Sequence, residues 1–140
     1  MKPHITLLGV FCVLLIPLAF GEQDVHQTAV MKSSTTIAGE KIAYPITEKA
    51  EIQSTLIEIP PGKETTVMLH SVPTYIYVVE GTLTVEFDDG SRQRFEAGKG
   101  FLQAMRKRHK GKNLEQVPLR FLVVFAGVQG ESAVIHPAER

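Results

Sequence analysis

Two histidines, a methionine and a run of cations are the residues of this chain whose types and spacing can do chemistry. Met68 and His70 lie two apart in a stretch rich in β-branched residues, and side chains two apart on a strand point to the same side. If the turn after His70 keeps phase, Thr74, Ile76 and Val78 share that side, so an imidazole and a thioether face one interior surface. Imidazole is a hydrogen-bonding group or a metal ligand, and a thioether is a soft donor that suits Cu(I). A methionine on a strand is equally a filler of core gaps. The other histidine, His109, is surrounded by Arg106, Lys107, Arg108, Lys110 and Lys112, with no acid between residues 97 and 114. Such a cluster draws carboxylates, sulfates or phosphates, depresses the pKa of an imidazole within it and repels a nearby cation. The plain alternative is a solvated loop. No serine stands in a nucleophile-elbow context, and neither a phosphate loop nor a dinucleotide fingerprint is present.

The elements that must position these residues read as β-strands. Residues 51–59 alternate loosely and stop at Pro60-Pro61-Gly62, a strong turn signal. Residues 65–70 and 74–80 are β-branched and aromatic. Residues 82–87 put Leu83, Val85 and Phe87 on one face, and Asp88-Asp89-Gly90 is a hairpin turn, because Asp and Gly tolerate positive φ. Residues 91–96 return, Ala97-Gly98 turns again, residues 120–126 form an apolar strand of the buried kind, and residues 132–135 add a last short one. Strands at about ten-residue spacing, with no helical periodicity, predict an all-β domain, a sandwich or closed antiparallel barrel.

Ahead of the strands, residues 5–20 are an apolar run broken by Thr6, Gly9 and Pro17, preceded by Lys2 and followed by Ala19-Phe20-Gly21 and a polar stretch. The run is shorter than the ~20 residues a membrane helix needs. It reads as a signal peptide over residues 1–21, cut before Glu22, so the mature chain is expected outside the cytoplasm, periplasmic or secreted, with no membrane span. Cys12, the only cysteine, leaves with it, and the mature domain holds no disulfide. Residues 22–49 read as an N-terminal extension with edge strands, and residues 50–136 as the domain. The chain carries 15 Lys+Arg against 15 Asp+Glu, and losing the leader shifts the net charge to about −1. That balance and the exported location argue against nucleic acid as a partner.

Pro61-Gly62, His70 and Val79-Glu80-Gly81-Thr82-Leu83 resemble the first motif of the cupins, and Gly98, Ala104, His109 and Asn113 resemble the second, with His109 and Asn113 four apart. The resemblance spans roughly residues 50–127 and implies a jelly-roll barrel. It also implies a metal site of three histidines and a glutamate, from which this chain departs. Met68 stands at the first histidine position and Thr74 at the glutamate position; Ala104 and Arg106 replace a proline and a glycine, and Gln103 stands where some relatives place an acid. Two histidines, an amide and a thioether bring no negative charge, so tight Fe(II), Mn(II) or Zn(II) is not expected. The metal set left is His70, His109, Met68 and Gln103, weak and suited at most to copper.

The expectation is therefore an exported, non-catalytic binding protein for a small polar or anionic ligand, held by His70, Thr74, His109 and Asn113 with Arg106 and Arg108 at the mouth. The alternatives are a metal-dependent oxygenase or isomerase using His70 and His109, and a copper binder. Cupins commonly pair, and Tyr75 and Tyr77, which alternate with the inward set, are consistent with a homodimer.

Overall fold

A computed structural model describes residues 25–138. The expected signal peptide lies outside the described residues. Among the described residues nine strands follow one another: β1 (Ala50–Ile59), β2 (Leu69–His70), β3 (Thr74–Glu80), β4 (Thr82–Phe87), β5 (Arg92–Glu96), β6 (Gly100–Leu102), β7 (His109–Lys112), β8 (Leu119–Val128) and β9 (Val134–Ile135). They form a four-stranded sheet β1-β8-β3-β6, a three-stranded sheet β5-β4-β7 and a small pair β2-β9, with every strand pairing antiparallel.

This all-β arrangement is the expected jelly-roll barrel, and the period of two builds its core. On β8 the inward set Leu119, Phe121, Val123 and Phe125 is buried, as are Ile76 and Val78 on β3 and Leu83, Val85 and Phe87 on β4. These side chains form one cluster between the two main sheets. Fully burying each contributes roughly 1.5–3 kcal/mol, which makes this cluster the main source of stability. The hairpin at Asp88-Asp89-Gly90 forms as expected, with Gly90 at φ 79°.

Two expectations about strands need correction. Among the described residues no strand runs through 25–49; the one β-bridge there is Thr35–Lys41. The hydroxyl of Thr36 accepts from the backbone N–H of Ala38 and of Glu40, and Ser33 binds the backbone of Thr35. Such local side-chain bonds compete with a ladder. The strand expected over 65–70 shrinks to Leu69–His70. Thr65 Oγ1 takes the N–H of Gly111, and only the isolated bridges Glu64–Lys112 and Met68–His109 continue the pairing.

Candidate functional site

Between the sheets lies a cavity of about 240 Å³. Its walls are mostly apolar, from Ile76 on β3, Leu83 and Val85 on β4 and Phe121, Val123 and Phe125 on β8. The polar or soft groups reaching it include Met68, His70, Gln103, His109 and His136.

Met68 and His70 share the inward side because they lie on one extended segment, and the Met68–His109 bridge brings the second histidine beside them. The two imidazoles stack, with centroids 5.0 Å apart and planes 20° apart, and Phe125 lies over His70 at 5.7 Å. His109 Nδ1 sits 2.8 Å from the carbonyl of Lys107. A carbonyl only accepts, so Nδ1 carries the proton and Nε2 presents a lone pair. That Nε2 and His70 Nδ1 are both buried without a hydrogen-bond partner among the described residues. Gln103 Oε1 accepts from the N–H of Ala104 at 2.9 Å, which leaves the amide NH2 for the cavity.

Burial, and secondarily the charge of its neighbour His109, pulls the His70 imidazole down to about 3. Burial also lowers His109, opposed by its bond to the Lys107 carbonyl and by the charge of Glu40. The expected cause, the basic neighbours, is thus replaced by desolvation, because those cations are turned to other partners. Lys112 bridges Glu64 at 3.0 Å and Glu86 at 2.6 Å, and Lys110 reaches Glu64 at 2.8 Å. Arg108 Nε lies 2.7 Å from Asp88, an ionic contact without hydrogen-bond alignment, and Lys107 stands 3.6 Å from Asp89. The segment read as a possible solvated loop is largely strand β7 with paired charges. Arg106 alone of the five cations has no ion pair among the described residues. It takes φ 52° and lines a separate groove with Lys41, Tyr44 and Ser71.

Of the residues singled out from sequence, the cavity brings together Met68, His70, Gln103 and His109. Thr74, Asn113, Arg106 and Arg108 lie outside its lining. Thr74 donates its hydroxyl to the Val72 carbonyl. Asn113, fully buried, donates to the carbonyls of Ile59 and Val117 and accepts from the N–H of Glu115, which pins the loop into β8. Sequence reading missed His136. It follows β9 at the same parity as Val134, and both line the cavity, so extending the alternation of the last strand by one residue would have found it.

Residues 55–125 match the sequence profile of the Cupin domain family, half of the chain. The chain belongs to the cupin family. Among solved cupin structures it is similar to Bacillus subtilis oxalate decarboxylase, with TM-score 0.50 and 24% identity over 61% of this chain and 23% of that one. Lactobacillus farciminis oxalate decarboxylase, solved as a formate complex, gives 0.51 and 19% over 68% of this chain and 33% of that one. A cupin 2 conserved barrel domain protein from Salinispora arenicola gives 0.50 and 19%, over 61% and 71%. At these identities the likeness is one of fold, and the chain spans about a quarter of the length of the Bacillus enzyme. No curated protein matches the sequence.

The Bacillus enzyme holds Mn(II) centres. The residues of the present cavity do not fit that ion. Mn(II) prefers carboxylate and water oxygens, whereas among the described residues no carboxylate lines this cavity. Among the described residues no three His, Cys, Asp or Glu side chains are grouped to hold a metal.

Proposed function

We propose that this cupin is a non-catalytic binding protein for a small, mostly apolar molecule that carries one polar group. The observation that supports it most is the pairing of apolar walls with two neutral, unpartnered imidazole nitrogens. A buried polar atom without a partner costs roughly 1–3 kcal/mol, which a ligand hydroxyl donating to His109 Nε2 would recover. An apolar cavity of about 150 Å³ holds benzene, so one of about 240 Å³ takes a ring with a few further atoms. The anionic ligand expected from the basic segment is the weaker reading, because four of its five cations already face carboxylates. Thermal shift with phenol, 4-methylphenol, benzoate and acetate separates the two. Phenols at a hundredfold excess over Kd should stabilise by about 2.7 kcal/mol, several degrees in Tm, and lose that effect in His109→Phe. Stabilisation by benzoate but not by phenols, abolished in Arg106→Gln with Arg108→Gln, would restore the anionic reading.

A second reading rests on Met68, whose thioether shares the cavity with His70 and His109. Two imidazoles and a thioether suit Cu(I). Titration against a chromogenic Cu(I) chelator should show one equivalent bound in the parent and about tenfold weaker binding in Met68→Leu. Equal competition by both proteins removes the copper reading.

A further inference from the structure

Among the described residues Arg106 is the one residue other than glycine with a positive φ, at 52°. A Cβ makes this left-handed region costly, and glycine enters it freely. The second motif expects glycine at position 106, and the chain keeps the glycine-like backbone while carrying a long cation. The Arg106 N–H donates to the His70 carbonyl at 2.9 Å, which fixes the turn. Backbone strain that one substitution would relieve gathers at sites where the side chain has a task.

That side chain lines a groove of about 360 Å³ and takes no part in the barrel cavity. Lys41 lines the same groove. One clamp brings the two cations together: Glu40 Oε2 accepts from the N–H of Met105 at 2.8 Å and from the Thr36 hydroxyl at 2.9 Å. The residues that follow the two clamped positions, Lys41 after Glu40 and Arg106 after Met105, therefore meet. Neither cation has an ion pair among the described residues. Glu131 also reaches the groove, so two cations against one carboxylate leave one net positive charge. Buried Val72 and Pro73 and the ring of Tyr44, 69% exposed, add apolar surface. The volume is that of a small-molecule site.

We infer that this groove is a second binding site, outside the barrel, for a small monocarboxylate with an aromatic or aliphatic body. The planar guanidinium of Arg106 matches a carboxylate through two parallel N–H donors, and Lys41 adds a point charge. The body of the ligand lies on Tyr44, Val72 and Pro73. Glu131 repels a second negative charge, which selects a monoanion over phosphate or a dicarboxylate. Because the groove and the cavity share no lining residue, both can be filled at once.

Calorimetry of the purified chain with 3-phenylpropanoate, 3-phenylpropanamide and inorganic phosphate tests the site. The acid should bind at one equivalent, indifferent to saturating phenol, and at least about tenfold more tightly than the neutral amide or phosphate. Arg106→Gln and Lys41→Gln should each weaken it about tenfold. Arg108→Gln should leave it unchanged, since that cation lies against Asp88. Arg106→Gly should lose the acid as well, yet raise Tm by roughly 4 °C, because glycine takes this φ without strain. Equal binding of acid and amide, competition by phenol, an equal loss in Arg108→Gln, or full binding retained in Arg106→Gly would overturn the site.

Discussion

Between pH 7 and about pH 4.5 the folded protein should lose about 2.5 kcal/mol through His70 alone. The imidazole sits near its ordinary value of 6.5 when the chain is unfolded and is held at about 3 when folded, chiefly by burial against apolar walls. A depressed histidine contributes stability that is fully present above its unfolded pKa. As pH falls through 6.5 the unfolded chain takes up a proton that the folded chain refuses, so stability drops by about 1.4 kcal/mol per pH unit until the folded pKa is reached. His109, lowered in the same direction, adds to the slope. The carboxylates of Glu64, Glu86 and Asp89 are held below their usual range by their cation and hydroxyl partners and act only at lower pH. The window from 6.5 to 4.5 therefore belongs to the histidines. Urea unfolding across this range should show the slope in the parent and a shallower one in His70→Phe, which keeps the ring against Phe125 and removes the titration. Parallel pH profiles for the two proteins would mean that His70 is solvated. Any ligand held by His109 Nε2 should leave only once the pH falls below the ordinary imidazole range, because burial keeps that nitrogen neutral and a protonated Nε2 donates where the neutral one accepts.

Gly81→Ala should cost about 3 kcal/mol, the sum of about 1–2 for a left-handed residue with a Cβ and about 1–3 for overpacking. Gly81 turns the chain from β3 into β4 at φ 77°, and a Cβ there would meet the carbonyl oxygen of Pro118 at 2.6 Å and Leu119 Cα at 3.1 Å. Both obstacles are backbone at the start of β8 and cannot swing aside. Gly90 provides the control, since it has φ 79° and nothing within 4 Å of its Cβ position. Gly90→Ala should cost only the backbone contribution, about 1–2 kcal/mol. With urea m values of about 1–3 kcal/mol per molar, the two midpoints should differ by about a molar. Equal midpoints would show that β3–β4 yields at this contact. The glycine that ends the strand in the first motif thus has a packing cause, independent of any chemistry in the cavity.

What the amino-acid order determined by itself is local and periodic. Leu83, Val85 and Phe87 face inward because strand side chains alternate, Asp88-Asp89-Gly90 turns because those residues accept positive φ, and Met68 and His70 share a side because they are two apart. From these and the motif resemblance, the all-β barrel and the cavity residues Met68, His70, Gln103 and His109 were legible. Only the tertiary structure decided which charges meet and what surrounds the histidines. Glu64 and Lys110 are 46 positions apart, yet the Glu64–Lys112 bridge beside β7 brings them together, so a segment without local acids is not a segment without counterions. Cavity polarity is likewise a sum over walls from several strands, and no one of them shows that His70 and His109 are buried. His136 entered the site because β9 pairs with β2, and Ala50–Leu56 of β1 stay exposed while Ile57 and Ile59 reach the core. Alternation is a property of one strand, whereas pairing, burial and desolvation are properties of how strands are placed against each other.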